Sequence, residues 1–256
     1  RPEDLELYKH IPNRNRRAYA AMVHCEDLQV GRIVNAIEKR GVTPNTLFIF
    51  SSDNGGPLGS GATNGRLRAG KGTLYEGGVR VAAFATWPGH IPAGAVIQEP
   101  LHMVDWYPTL LELAGAIVKQ KMPLDGRNIW PVLTQGARTP HADILLNTTP
   151  GQGAIRSGDW KLVLNGGRPE AAGETSPEPA APKRKAKRAN VGGSETVELF
   201  NLAEDPFEQR NLAAQHPGKV SDLRARLDAY ARQAVPPKAA PRPADFVSPK
   251  VWGEFK

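Results

Sequence analysis

The chain has 256 residues, 40% hydrophobic and 23% charged, enough for a real core and unlike the composition of a disordered polymer. Its net charge is +7, but Lys183, Arg184, Lys185, Lys187 and Arg188 supply five of those charges in one run; the remainder is nearly neutral, and no nucleic-acid-binding face is implied. Cys25 is the only cysteine and no run of about 18 apolar residues occurs, which excludes an intrachain disulfide, a multi-cysteine metal site and a membrane-spanning helix.

The sequence opens with Arg-Pro-Glu-Asp, shows no signal peptide, and reads as a piece of something longer. From about Arg16 to Arg40, apolar residues recur at Tyr19, Met22, Val23, Val30, Ile33, Val34 and Ile37. This spacing predicts a helix stopped by Gly41. Thr46 to Ser51 is a continuous apolar run, which predicts a strand buried on both faces, as in a parallel sheet, within an α/β layered domain. Directly after it, residues 53 to 72 contain seven glycines and almost no apolar side chains. Ligands of open α/β sheets bind at that end of a strand.

Val79 to Trp87 reads as another strand, closed by Pro88-Gly89. Asp105 to Leu113 reads as a helix with Asp105 as N-cap, Pro108 in the first turn and Gly115 beyond the end. After about Pro140 the runs shorten. Asp143 to Asn147, Ala154 to Ser157, Trp160 to Leu164 and Glu198 to Leu202 are strand-like, with a hairpin turn at Ser157-Gly158-Asp159, and His216 to Ala234 reads as a helix. Residues 168 to 190 read as a disordered loop containing the basic run, and 236 to 256 as a Pro-rich tail. The expected units are therefore 1–140, 141–235 and the tail.

Two loops hold residues suited to chemistry. Asp53-Asn54 places a carboxylate beside an amide carbonyl, hard oxygen ligands for Ca²⁺ or Mg²⁺; taken alone, Asp-Asn-Gly-Gly reads first as a common turn. Lys71 lies between glycines in Ala-Gly-Lys-Gly-Thr, where its ammonium could meet a sulfate or phosphate oxygen or simply face water. The loop lacks the spacing of a phosphate-binding P-loop. His102 reads as a structural hydrogen-bonding residue, His24 as exposed and Cys25 as inert.

Several blocks, in order, resemble the sulfatase branch of the alkaline-phosphatase-like superfamily. They are Tyr19 to Val23 with Asp27 and Gly31, Asn45 to Gly56 (NTLFIFSSDNGG), Leu67 to Arg80 (LRAGKGTLYEGGVR), His102 to Ala114, Leu124-Asp125-Gly126, Ala154 to Leu162 (AIRSGDWKL) and Glu198 to Leu212 (ELFNLAEDPFEQRNL). The resemblance implies an α/β fold: the C-terminal part of an alkaline-phosphatase-like α/β sandwich, followed by a small antiparallel-sheet subdomain. It further implies calcium-dependent hydrolysis of a sulfate ester, with Asp53 and Asn54 as Ca²⁺ ligands and Lys71 at the ester oxygen. The substrate would be a sulfated small molecule or carbohydrate, and the location periplasmic or secreted. The family's formylglycine, made from Cys/Ser-x-Pro-x-Arg, has no counterpart here, since Cys25 is followed by Glu-Asp-Leu-Gln. The nucleophile and the remaining metal ligands are expected upstream of Arg1. A phosphodiesterase or phosphonate hydrolase of the same superfamily, and a non-catalytic truncated remnant, are the competing readings.

Overall fold

The computed structural model describes residues 1–116, 120–149, 152–166 and 195–235. The expected disordered loop at 168–190, its basic run and the tail from 236 lie outside the described residues. The chain begins with helix α1 (Pro2–Leu7) and the long helix α2 (Arg14–Lys39). Asn13 caps α2 by accepting the Arg16 amide at 2.9 Å, and Gly41 stands just beyond its end at φ +66°. The apolar stripe of α2 does not form a core face: Ala21 is its one buried residue, while Met22 is 69% and Ile33 53% exposed. His24, expected to be exposed, is half-buried, its ring edge-on to Tyr8.

Strand β1 (Phe48–Ser51) corrects the expectation of a doubly buried parallel strand. It pairs antiparallel with the strand at Ala83–Thr86, and all four of its residues are only half-buried. The chain leaves β1, makes one excursion and returns alongside it in the opposite direction. Phe48 and Phe50 stack on Phe84, with centroids 6.1 and 5.1 Å apart. The return strand, β2, starts four residues later than Val79. Val79 instead closes a helical turn, α3 (Glu76–Val79), in which the Arg80 amide donates to the Glu76 carbonyl at 2.8 Å.

A 3₁₀ turn at Met103–Asp105 leads into helix α4 (Trp106–Leu113), followed by Gly115 at φ +68°. Asp105 does not cap α4 with its side chain, as its position suggested. It is fully buried and accepts hydrogen bonds from the His102 amide (2.7 Å) and the Arg127 amide (2.9 Å), with His141 Nε2 at 2.7 Å. A carboxylate removed from water is kept there only by such a set of partners. His102 is structural, its Nδ1 accepting the Val104 amide at 3.2 Å. A short helix, α5 (Trp130–Gln135), contributes Val132 and Leu133 to a small cluster with Ile129.

The C-terminal part is a four-stranded antiparallel sheet in sequence order: β3 (Ile144–Thr149), β4 (Gln152–Ser157), β5 (Trp160–Leu164) and β6 (Val197–Asn201). Gly158, at φ +56°, and Asp159 make the two-residue turn between Ser157 and Trp160. Side chains alternate across the sheet. Ile155, Leu162, Leu164 and Leu199 meet Leu223 and Leu227 of helix α6 (Pro217–Ala231). Ala154, Val163 and Phe200 point the other way and are covered by Leu74 and Tyr75. The segment just after Lys71 thus closes the second face of a sheet built some 80 to 125 residues later in the chain.

Candidate active site

Asp53 and Asn54 follow the C-terminal end of β1, where the Ser52 amide makes a last ladder bond to Ala82 O at 3.0 Å. Ser52 Oγ donates to the Asn54 carbonyl at 2.9 Å, which bends the chain out of the strand. The Asp53 carboxylate is exposed and takes no hydrogen bond or ion pair among the described residues. Asn54 Nδ2 donates to Gly55 O at 3.0 Å, leaving its carbonyl oxygen uncommitted among them.

Lys71 is exposed as well. Its backbone is fixed against the first loop: the Lys71 amide donates to Gly56 O at 3.3 Å. Asn64 completes the junction. Its Oδ1 accepts the Gly56 amide at 2.7 Å, and its Nδ2 donates to Gly56 O at 3.2 Å and Ala69 O at 2.8 Å. The loops touch backbone to backbone, which explains the glycines. A Cβ on Gly55 would lie 1.7 Å from Gly77 O, and one on Gly70 2.4 Å from Gly56 O. Ala69, between the two loops, holds φ +60°, a strained value for a residue with a Cβ.

Both loops rest on residues 76 to 78. The Gly55 amide donates to Gly78 O at 3.0 Å and the Gly77 amide to Arg68 O at 2.8 Å. Beneath this platform lies a buried charge cluster that the sequence reading missed. Lys161, on β5 and fully buried, sits 2.8 Å from Glu76 Oε1 and 2.8 Å from Glu208 Oε1. Glu208 Oε2 accepts the Glu76 amide at 2.6 Å, and Glu208 holds φ +54°. The Lys161 contact to Glu208 Oε1 is an ion pair that misses hydrogen-bonding direction. Burial pushes the Glu208 carboxyl above its ordinary range, against the opposing pull of the Lys161 ammonium. The available signal was period two: in Trp-Lys-Leu-Val-Leu, Lys161 shares its face with Val163, so a lysine faced a core.

A second set of contacts seals the junction. The Arg68 guanidinium lies 3.8 Å from the Tyr75 ring centroid, pairs with Glu198 Oε1 at 3.0 Å and donates to Glu208 O at 3.1 Å. The Tyr75 hydroxyl donates to Glu198, and burial raises its pKa to about 12, reinforced by that carboxylate.

The donor chemistry of Asp53 and Asn54 fits calcium, a hard cation that takes six to eight oxygens. These two residues fill only part of such a shell; among the described residues no group of three or more His, Cys, Asp and Glu could hold a metal by itself. Lys71 is tied to the loop of Asp53 and Asn54 through its backbone, by the bond from its amide to Gly56 O, and its side chain is exposed.

Residues 3–116 match the family model described as Sulfatase. Arylsulfatase J of Mus musculus is 35% identical over 98% of this chain and 46% of its own length. Among solved structures, Ps i-CgsB in complex with k-i-k-neocarrahexaose superposes with a TM-score of 0.73 at 32% identity, over 90% of this chain and 46% of that one. The PsFucS1 sulfatase from Pseudoalteromonas sp. gives 0.64 at 27%, over 83% and 42%. The chain spans less than half the length of these relatives, and over that span it shares their mixed α/β architecture. In sequence over residues 3–116, and in fold over most of its length, this chain is similar to the sulfatase family.

Proposed function

We propose that Asp53, Asn54 and Lys71 form part of the site at which the whole protein hydrolyses a sulfate ester with bound calcium. The observation that carries this is the single backbone network of the two loops, in which the Lys71 amide bonds Gly56 O two residues beyond Asn54. In this reading Asp53 and Asn54 hold the cation through oxygen. Calcium, when bound, polarises the sulfate oxygens as a Lewis acid. Lys71 faces the bridging oxygen. As the sulfur–oxygen bond breaks, the electron pair stays on that oxygen, and the ammonium stabilises it or supplies the proton that makes the product alcohol. The formylglycine nucleophile belongs to the proposal but not to these residues, because no Cys/Ser-x-Pro-x-Arg occurs here and Cys25 lies inside α2. We assign it, with the remaining ligands, to sequence ahead of Arg1. The division near residue 140 and a periplasmic or secreted location are parts of the same proposal.

The substrate class is a sulfated small molecule or carbohydrate. The oligosaccharide bound by the 32%-identical Ps i-CgsB favours the carbohydrate. The test is turnover of 4-nitrocatechol sulfate and of bis(4-nitrophenyl) phosphate by the intact protein, with and without calcium. Calcium-dependent release from the sulfate supports the reading. Turnover of the phosphate diester alone would move the protein to the phosphodiesterase branch, and no turnover of either would leave the remnant reading standing.

A further inference from the structure

We infer that Lys161 and Glu208, which lie in the C-terminal sheet and the turn after it, are positioning residues for the Asp53–Lys71 site. The inference rests on the site reading above for its function, but its geometry is independent of that reading. The path is short. Glu208 takes the Glu76 amide at 2.6 Å and Lys161 holds the Glu76 carboxylate at 2.8 Å. Glu76 fixes Gly77 and Gly78, which carry the metal-ligand loop through the Gly55 amide and the Lys71 loop through Arg68 O. No side chain intervenes at either contact, because Gly55 and Gly77 have no room for one. A shift of Glu76 therefore passes to both loops through backbone alone.

The strained position of Glu208 supports a specific role. Its φ of +54° is set by Asp205, whose Oδ2 accepts the Gln209 and Arg210 amides at 2.8 Å each. The turn holds Glu208 where its carboxylate meets an amide and an ammonium at once. Two buried carboxylates around one lysine are a poor choice for stability alone, since an apolar core of the same shape is often as good. They are a good choice for fixing one geometry.

The test uses Glu208→Gln, which keeps the shape and the Lys161–Glu76 pair, beside Leu223→Ala, which weakens the opposite face of the same sheet. Amide hydrogen exchange of the intact protein is the first readout. Glu208→Gln should speed exchange of the Gly55 and Gly77 amides about tenfold, the scale of one lost hydrogen bond, while Leu223→Ala leaves them near the wild-type rate under native conditions. Kinetics on 4-nitrocatechol sulfate is the second: Glu208→Gln should lower kcat per folded molecule about tenfold with KM within about twofold, and Leu223→Ala should change neither. Equal acceleration of both amides in the two variants, or none in Glu208→Gln, overturns the inference. If the wild type turns over no sulfate, the functional proposal falls, and the exchange result still decides the positioning role.

Discussion

At the scale of single residues, the proposal rests its chemistry on Lys71 and Asp53 and its geometry on Gly55. Lys71→Ala should lower kcat on an aryl sulfate by on the order of 10²-fold, the usual loss when a donor to developing negative charge is removed; a rate within a few-fold of wild type would remove Lys71 from the mechanism. Asp53→Ala should abolish stoichiometric calcium binding in calorimetry with little change in melting temperature measured without calcium, because the exposed carboxylate makes no other bond among the described residues. Gly55→Ala is the opposite case. Its methyl would sit 1.7 Å from the Gly77 carbonyl, a backbone atom that cannot turn aside. The variant should lose at least about 2 kcal/mol in denaturant unfolding.

At the scale of elements, the buried cluster under α3 governs both stability and its pH dependence. Lys161→Met would leave Glu76 and Glu208 facing each other without a cation, and should cost about 3–5 kcal/mol. The raised Glu208 carboxyl fixes the sign of the acid-side slope. Between its ordinary value of 4.5 and its higher folded value, the native state keeps a proton that the unfolded chain has lost. Stability should therefore fall as pH rises through that window, and Glu208→Gln should flatten this part of the profile in thermal melts. Elements were also where the sequence was most and least informative. The β4–β5 hairpin and the helices α2, α4 and α6 were legible because their signals are local: a turn glycine, a stop glycine, a period. The partner of β1 was not, since a short apolar run states that a strand is buried without naming its neighbour. Asp53, Asn54 and Lys71, the residues of the proposed site, were singled out through ordered motif blocks. Glu76, Lys161 and Glu208 were hidden because their contacts span 85 and 132 residues and each alone looks like an ordinary charged residue.

At the scale of the molecule, the described residues leave much apolar surface in water. Met22, Val23, Leu28 and Ile33 on α2, Phe84 on β2 and Tyr107 and Leu110 on α4 are all exposed. Surface of this kind drives association, and β1 has β2 on one edge only among the described residues. Residues 1–256 produced alone should self-associate in sedimentation velocity at micromolar concentration; a monomer with a sharp cooperative melt would contradict that. In the intact protein, calcium at about 100 times its dissociation constant should add about 2.7 kcal/mol of stability, and the gain should vanish in Asp53→Ala.

The covering of the C-terminal sheet by Leu74 and Tyr75 also sets an order of events during synthesis. These residues leave the ribosome well before Val163, Phe200 and Glu208, the groups they pack against. Until then the Lys71 loop has no floor, and Glu76 has neither its cation nor its acceptor. Contacts this distant along the chain form slowly, because loop closure must come first. The loops that hold Asp53 and Lys71 are thus written early and set late, and a nascent chain stopped before Glu208 would carry every one of those residues without the geometry that joins them.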